Sequence, residues 1–185
     1  MIIPCETSVR HVHLSKEHLL VLFNKELTPV RWLSQPGQFL SRERVDLVSN
    51  KATLQNVAII GPVREKTQVE LSLTDAFTLG LGNVPLRQSG ELEGTNGLTL
   101  SVGERKVDLE NGVIIAQRHI HLDPKTATKM GLVDGQVTSL EFDGIRGGRL
   151  DNTIVRVGKN YAPAIHLDTD EANAMSSDVV RVVLS

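Results

Sequence analysis

Short runs of β-branched and aliphatic residues recur along the chain between turn signals: Val45-Asp46-Leu47-Val48, Val57-Ala58-Ile59-Ile60, Val69-Glu70-Leu71-Ser72-Leu73, Val113-Ile114-Ile115-Ala116, Ile154-Val155-Arg156-Val157 and Val179-Val180-Arg181-Val182-Val183. Such runs, bounded by Gly, Pro or Asp, predict strands. The turn pairs Gly61-Pro62, Asp134-Gly135 and Asp143-Gly144 leave little room for long crossover helices, which favours barrels over a doubly wound sheet. Three short helices fit between the strands. Ser15 caps one over Lys16 to Leu22; Asp123 precedes Pro124, suited to the first helical position, with Lys125 to Met130 following and Gly131 as the stop. The third starts at Thr169 and covers Asp170 to Met175, while Gly90 to Gly103, rich in glycine and polar residues, reads as a loop.

The pattern also repeats. Ser8-Val9-Arg10-His11-Val12-His13-Leu14-Ser15 aligns with Ala116-Gln117-Arg118-His119-Ile120-His121-Leu122-Asp123, and a helix-cap signal follows each copy. Two similar lobes are implied, residues 1–116 and 117–185, with a loose boundary near Ala116 and a first strand able to exchange between them.

Composition narrows the partners. The 185 residues suit one ordinary domain or two small ones, and a 40% hydrophobic content provides for a buried core. A formal charge of −2 gives no basic excess for a polyanion, and 3% aromatics leave few stacking platforms, so nucleic acid is not expected as a partner. One cysteine excludes an intrachain disulfide framework. No stretch approaches the roughly 18 apolar residues of a membrane span, and no secretory signal is visible, so a cytoplasmic protein without membrane partners is expected.

Five of the six histidines fall in three clusters: His11 with His13, His119 with His121, and His166 in His166-Leu167-Asp168-Thr169-Asp170-Glu171. On a strand, residues i and i+2 share a face, so each His-x-His pair presents two imidazoles side by side as a bidentate metal grip, with Val12 or Ile120 turned into the core. Zinc takes about three or four protein ligands, so each pair needs one or two more donors, for which His166, Glu93 and Cys5 are candidates. Neutral imidazole is the ligand, so loading should weaken in mild acid.

Other residues carry two readings. His18 reads as an exposed helix residue, and Cys5 as a small buried hydrophobe rather than a thiolate ligand or nucleophile. Arg87, in Pro85-Leu86-Arg87-Gln88-Ser89-Gly90, is either a cradle for a phosphate dianion, with Ser89 and the Gly90 backbone, or an exposed turn arginine. Glu93, Asp168, Asp170 and Glu171 are ligands, outer partners of ligands, or solvated charges.

Taken together, Arg10 to Ser15, Gln35-Pro36-Gly37-Gln38-Phe39, Gly61-Pro62-Val63-Arg64 with Thr67-Gln68-Val69-Glu70, Pro85 to Gly90, Arg118-His119-Ile120-His121 and His166 to Ala174 resemble the PduL family of phosphotransacylases, the phosphate propanoyltransferases. The resemblance runs from about residue 8 to residue 174. It implies a mainly β protein of two closed β-barrel domains with short capping helices, a dinuclear zinc site between them, and reversible exchange of coenzyme A for phosphate on a short acyl group, propanoyl or acetyl. Carried onto matching positions, it gives His11, His13 and Glu93 one zinc, His119, His121 and His166 the other, and Arg87 the phosphate. Val9 stands where the family would have asparagine, and Ile165 where its neighbourhood is polar or acidic. The extension that sends some members into bacterial microcompartments is not visible, and a homodimer is expected.

The chain shows no Gly-x-Ser-x-Gly elbow, and Cys5 is solitary, so phosphate is expected to attack the thioester directly, fixed by Arg87 and metal. Two other classes compete. His11-x-His13 followed by Glu17 has the spacing of cupin-like metal-dependent oxygenases or isomerases, but that reading leaves the second motif unused. A non-catalytic zinc or coenzyme A binding module would keep closed sites, for which cysteine-rich ligand sets are usual.

Overall fold

From Ser41 to Val48 and from Val57 to Ile60 buried side chains alternate with more exposed ones, as they should on strands with one face against a core, in a computed structural model that describes residues 3–175 and 180–183. In chain order the elements are β1 (Cys5–Ser8), β2 (His11–His13), α1 (Lys16–Phe23), β3 (Pro29–Trp32), β4 (Phe39–Val48), β5 (Thr53–Gly61), β6 (Gln68–Leu71), α2 (Leu73–Leu79), β7 (Leu86–Arg87), β8 (Asn96–Val102), β9 (Arg105–Ala116), β10 (His119–Leu122), α3 (Pro124–Met130), β11 (Val137–Phe142), β12 (Gly148–Val157), β13 (Ala164–Asp168), α4 (Thr169–Met175) and β14 (Val180–Val183). The fold is mainly β with short helices, as the sequence implies. Among the described residues no helix is long and apolar enough to cross a membrane.

The chain groups into two compact units. The first contains Val9–Leu33 and Gly37–Ala116; the second contains the chain up to Ser8, Ser34–Pro36 and the chain from Gln117 onward. In the first, six strands form a ring: β4 pairs with β5, β5 with β2, β2 with β6, β6 with β9, β9 with β8, and β8 with β4 again. A ring of pairings satisfies its strands' backbone groups without leaving an edge. Val45, Leu47, Ile59, Val69, Leu71, Leu100 and Val113 belong to its apolar core.

The second unit is a six-stranded sheet in the order β1-β13-β10-β12-β11-β14, packed on Ile3, Leu122, Leu140, Val155, Ile165 and Leu167. Its central strand has the neighbours that β2 has. β10 lies parallel to β12 and antiparallel to β13, as β2 lies parallel to β5 and antiparallel to β6. The next strand out is parallel in both: β9 beside β6, and β1 beside β13. Val12 and Ile120, the residues between the paired histidines, are fully buried, and each such side chain contributes about 1.5–3 kcal/mol of apolar burial that pins its strand.

The helix caps follow the sequence. Ser15 accepts from His18 N at 3.2 Å, Asp123 accepts from Lys125 N and Thr126 N, and Gly131 ends α3 in the left-handed region at φ 68°. Two expectations differ. The run Val69 to Leu73 is strand only as far as Leu71, because Ser72 and Asp75 form a capping box that starts α2, a fourth helix. The stretch from Gly90 to Gly103 is not a loop throughout, since β8 occupies Asn96–Val102 and pairs with both β4 and β9. The last expected strand begins at Val179, which lies outside the described residues; β14 follows it.

Candidate metal centres

β2 is only three residues long, yet it is bonded on both sides, so its two histidines are held rigidly on one face. His11 and His13 are both buried, and their Nε2 atoms lie 3.2 Å apart. Each Nδ1 faces a backbone carbonyl, Val9 O at 2.9 Å and Ile60 O at 3.0 Å. A carbonyl only accepts, so each Nδ1 carries a hydrogen, and in the neutral ring Nε2 is left as a bare lone pair.

The third member comes from β6. Glu70 stands directly opposite His11 in the antiparallel register, buried, with Oε2 3.5 Å from His11 Nε2 and Oε1 3.8 Å from His13 Nε2. Gln68 Nε2 donates to Glu70 Oε1 at 2.5 Å and Ser89 Oγ donates to it at 3.1 Å. Arg64 Nη1 donates to Ser89 Oγ at 3.0 Å, which brings a guanidinium to the edge of the cluster. Three converging acceptors need a cation between them. Without metal, one proton serves. Burial opposes charge on His11, but the Glu70 carboxylate outweighs it and raises the ring's pKa. Burial, with the charges of His11 and Arg64, pushes His13 well below the ordinary histidine value. Burial likewise opposes charge on Glu70, yet the two imidazoles and Arg64 hold it well below the usual carboxylate range. The donor set, two imidazole nitrogens and a carboxylate with both outer Nδ1–H groups anchored, fits zinc.

The second cluster repeats the plan with one change. His119 and His121 lie on β10, and His166 of β13 stands opposite His119 where Glu70 stands opposite His11. Ring centroids are 4.6 Å apart for His119 and His121, 5.0 Å for His119 and His166, and 4.9 Å for His121 and His166. His119 Nδ1 donates to Gln117 O at 2.8 Å, the counterpart of the His11 bond. His121 Nδ1 is buried with no hydrogen-bond partner among the described residues, and its ring stacks instead on Tyr161 at 4.1 Å. Burial and the neighbouring His119, His166 and Arg156 push its pKa down to about 2, so the ring stays neutral. Three imidazoles whose ligand atoms lie within 4.8 Å of one another also fit a zinc ion.

Two clusters therefore gather five of the six expected ligands. Glu93 is not among them. It sits exposed on the turn between the buried Leu92 and Thr95, where Thr95 Oγ1 donates to Leu92 O at 2.7 Å, and it is in neither ligand group. Glu70 takes that place. Cys5 is half-buried against the apolar cluster of the second unit, outside both metal groups. Glu17 is exposed on α1, so the cupin-like triad is not assembled. His18 is half-buried rather than exposed, with Nδ1 2.8 Å from Thr67 Oγ1. Arg87 ends β7 and donates to Leu86 O at 3.1 Å, two residues before Ser89. Asp168 and Glu171 exchange backbone bonds at the start of α4, and burial raises the Asp168 pKa.

Glu70, Gln68 and Arg64 were not singled out as site residues by sequence reasoning, and Ser89 was singled out only beside Arg87. One signal was available: Gln68-Val69-Glu70 has the polar-apolar-polar alternation of His11-Val12-His13, on a strand buried along its whole length.

The family model described as phosphate propanoyltransferase matches residues 4–178. The chain is similar to proteins named phosphate propanoyltransferase from Sebaldella termitidis, 45% identical over 91% of this chain and 81% of that protein, from Alkaliphilus metalliredigens, 46% identical over 94% and 82%, and from Thermotoga maritima, 46% identical over 95% and 86%.

Proposed function

Because the chain belongs to the phosphate propanoyltransferase family, we propose that it transfers a short acyl group, propanoyl or acetyl, between coenzyme A and phosphate, reversibly, with two zinc ions. The observation that supports this most is the pair of ligand groups built on one plan. His11, His13 and Glu70 would hold one zinc, and His119, His121 and His166 the other. Zinc at such nitrogen and oxygen sets supplies Lewis acidity toward carbonyl and phosphoryl oxygens.

The chain's own residues do the positioning. Arg64, whose Nη1 donates to Ser89 Oγ, would turn its guanidinium to a phosphate dianion, for which a planar fork is better suited than an ammonium. Arg87, on the same Pro85 to Gly90 loop as Ser89, adds a second guanidinium to that phosphate. A phosphate oxygen attacks the thioester carbonyl carbon, the carbon–sulfur bond breaks, and coenzyme A leaves as thiolate. No acyl-enzyme is involved, in keeping with the packing of Cys5 on an apolar cluster.

The test measures zinc in purified protein and phosphate-dependent release of free thiol from propanoyl- and acetyl-coenzyme A, before and after chelation. About two zinc ions per chain with chelator-sensitive release is the expected result, and the two rates rank the acyl groups. Metal without thiol release would overturn the transferase reading in favour of a binding module.

A further inference from the structure

The third ligand of each cluster is delivered by a strand pairing of only three residues. β2 meets β6 at His11↔Glu70, Val12↔Val69 and His13↔Gln68, and β10 meets β13 at His119↔His166, Ile120↔Ile165 and His121↔Ala164. A slip of one residue would turn Glu70 or His166 to the opposite face of its sheet and empty the cluster of its third donor. Something beyond so short a ladder must hold the register.

Both halves carry the same device at the same spacing. Two residues after the third ligand comes a helix-capping residue, Ser72 after Glu70 and Asp168 after His166, and three residues later comes an acid, Asp75 or Glu171. Cap and acid exchange bonds in each case: Asp75 N donates to Ser72 Oγ at 3.2 Å and Ser72 N to Asp75 Oδ2 at 3.4 Å, while Glu171 N donates to Asp168 Oδ1 at 2.8 Å and Asp168 N to Glu171 Oε2 at 3.1 Å. The other oxygen of each acid meets the arginine that directly precedes the histidine pair. Arg10 Nε lies 3.2 Å from Asp75 Oδ1, an ionic contact off the angle of a hydrogen bond. Arg118 Nη1 bonds Glu171 Oε1, and Arg118 Nε donates to Asp151 O at 2.8 Å. The acids' side chains are only 11% and 16% exposed, so these contacts are partly withdrawn from solvent screening.

We infer that Arg10 and Arg118 are positioning residues: each clamps the capping box behind the third-ligand strand onto the start of the His-x-His strand, so that three donors close on one metal ion. The inference rests on the ligand sets proposed above. It gives the arginine of the repeated motif a task other than anion binding, since each guanidinium already faces a carboxylate of its own unit. The clamp acts on the strand ends, where a three-residue ladder has the least hold. It is the kind of outer support whose loss typically costs about ten- to a hundredfold in metal affinity.

The experiment uses the full chain loaded with cobalt(II) or zinc, in four forms: unaltered, Glu171→Gln, Arg118→Lys, and the double exchange Arg118→Glu with Glu171→Arg. Glutamine at 171 still serves the capping box but removes the charge, and lysine at 118 keeps the charge but loses the fork. The expected result is that both single variants alter the cobalt ligand-field spectrum and weaken retention of one of the two metals against a chelator by about ten- to a hundredfold, while the double exchange recovers both readouts. A role in stability alone would lower the melting temperature and leave the loaded spectrum unchanged. Parental spectra and retention in both folded single variants, or a folded double exchange no better than Glu171→Gln, would overturn the clamp. If the unaltered chain binds no cobalt, the ligand sets themselves fail, a result distinguishable from failure of the clamp alone. Asp75→Asn gives the parallel measurement at the other metal, with a smaller loss expected because Arg10 makes the looser contact.

Discussion

The two candidate metal clusters share strand order, register and helix caps, and differ in one donor and in what surrounds it. The first has a carboxylate, Glu70, tied by Gln68 and Ser89 and flanked by Arg64. The second has an imidazole, His166, in the same register position, and Tyr161 stacked on His121. A zinc ion in the first would carry a net charge lower by one than a zinc ion among three neutral imidazoles. The comparison teaches that the scaffold sets where three donors meet, while the single residue opposite the first histidine sets the charge of the centre. Arg64, the proposed phosphate ligand, lies with the carboxylate-bearing cluster, where it also balances Glu70.

Removing that one residue from either cluster is the strongest way to break the comparison. Glu70→Ala and His166→Ala are each expected to lower bound zinc from about two to about one per chain, and to reduce kcat/KM on the order of a hundredfold or more, since transition-state charge then loses its support. Metal analysis beside thiol-release kinetics checks both. If one variant kept both metals and full rate, its cluster would be no part of the centre.

A smaller effect separates the two arginines. Arg64→Ala should raise KM for phosphate by roughly ten- to a hundredfold, the value of about 1.5–3 kcal/mol for a hydrogen bond to a charged group, with KM for the acyl-coenzyme A little changed. Arg87→Ala should raise it less, because its guanidinium is not fastened to the Glu70 network. The reverse order would return the phosphate to the arginine that the sequence alone favoured.

Much of this plan was legible beforehand. The paired histidines, His166, the caps at Ser15 and Asp123 and the internal repeat are local patterns, each decided by neighbours within a few residues. Glu70 was not legible because its role comes from register across a strand pair, and a glutamate in a β-branched run reads as a solvent-facing strand residue. The repeat held the information in a subtler form. Aligning Ser72 and Asp75 with Asp168 and Glu171, rather than histidine with histidine, puts Glu70 beside His166. Glu93, which the resemblance put among the ligands, lies instead on an exposed turn between Leu92 and Thr95, in neither ligand group. A closed barrel was expected, but the strand that closes it was not, since β8 lies in the glycine-rich stretch that reads as a loop.

The smallest predicted effect concerns protons in the metal-free protein, and there the two clusters should differ in sign. The His11 pKa is raised in the folded state by Glu70, so its contribution to stability is fully present below the ordinary histidine value and is lost as pH rises through the raised one. The His121 pKa is lowered to about 2 by burial and its charged neighbours, so its contribution is present above the ordinary histidine value and is lost as pH falls toward 2. His13 follows the same sign as His121. The chelated protein should therefore lose stability on both sides of the histidine range, by an amount on the order of a few degrees, the shift that about 1 kcal/mol gives a protein of this size. Glu70→Gln removes the carboxylate that holds the His11 proton, so it should flatten the alkaline limb and, with burial of His11 then unopposed, steepen the acid limb. Melting curves of the chelated parent and variant from mildly acidic to mildly alkaline pH decide it. An alkaline limb that persists in Glu70→Gln would mean that the proton is held elsewhere, and the first cluster would then resemble the second in charge as well as in plan.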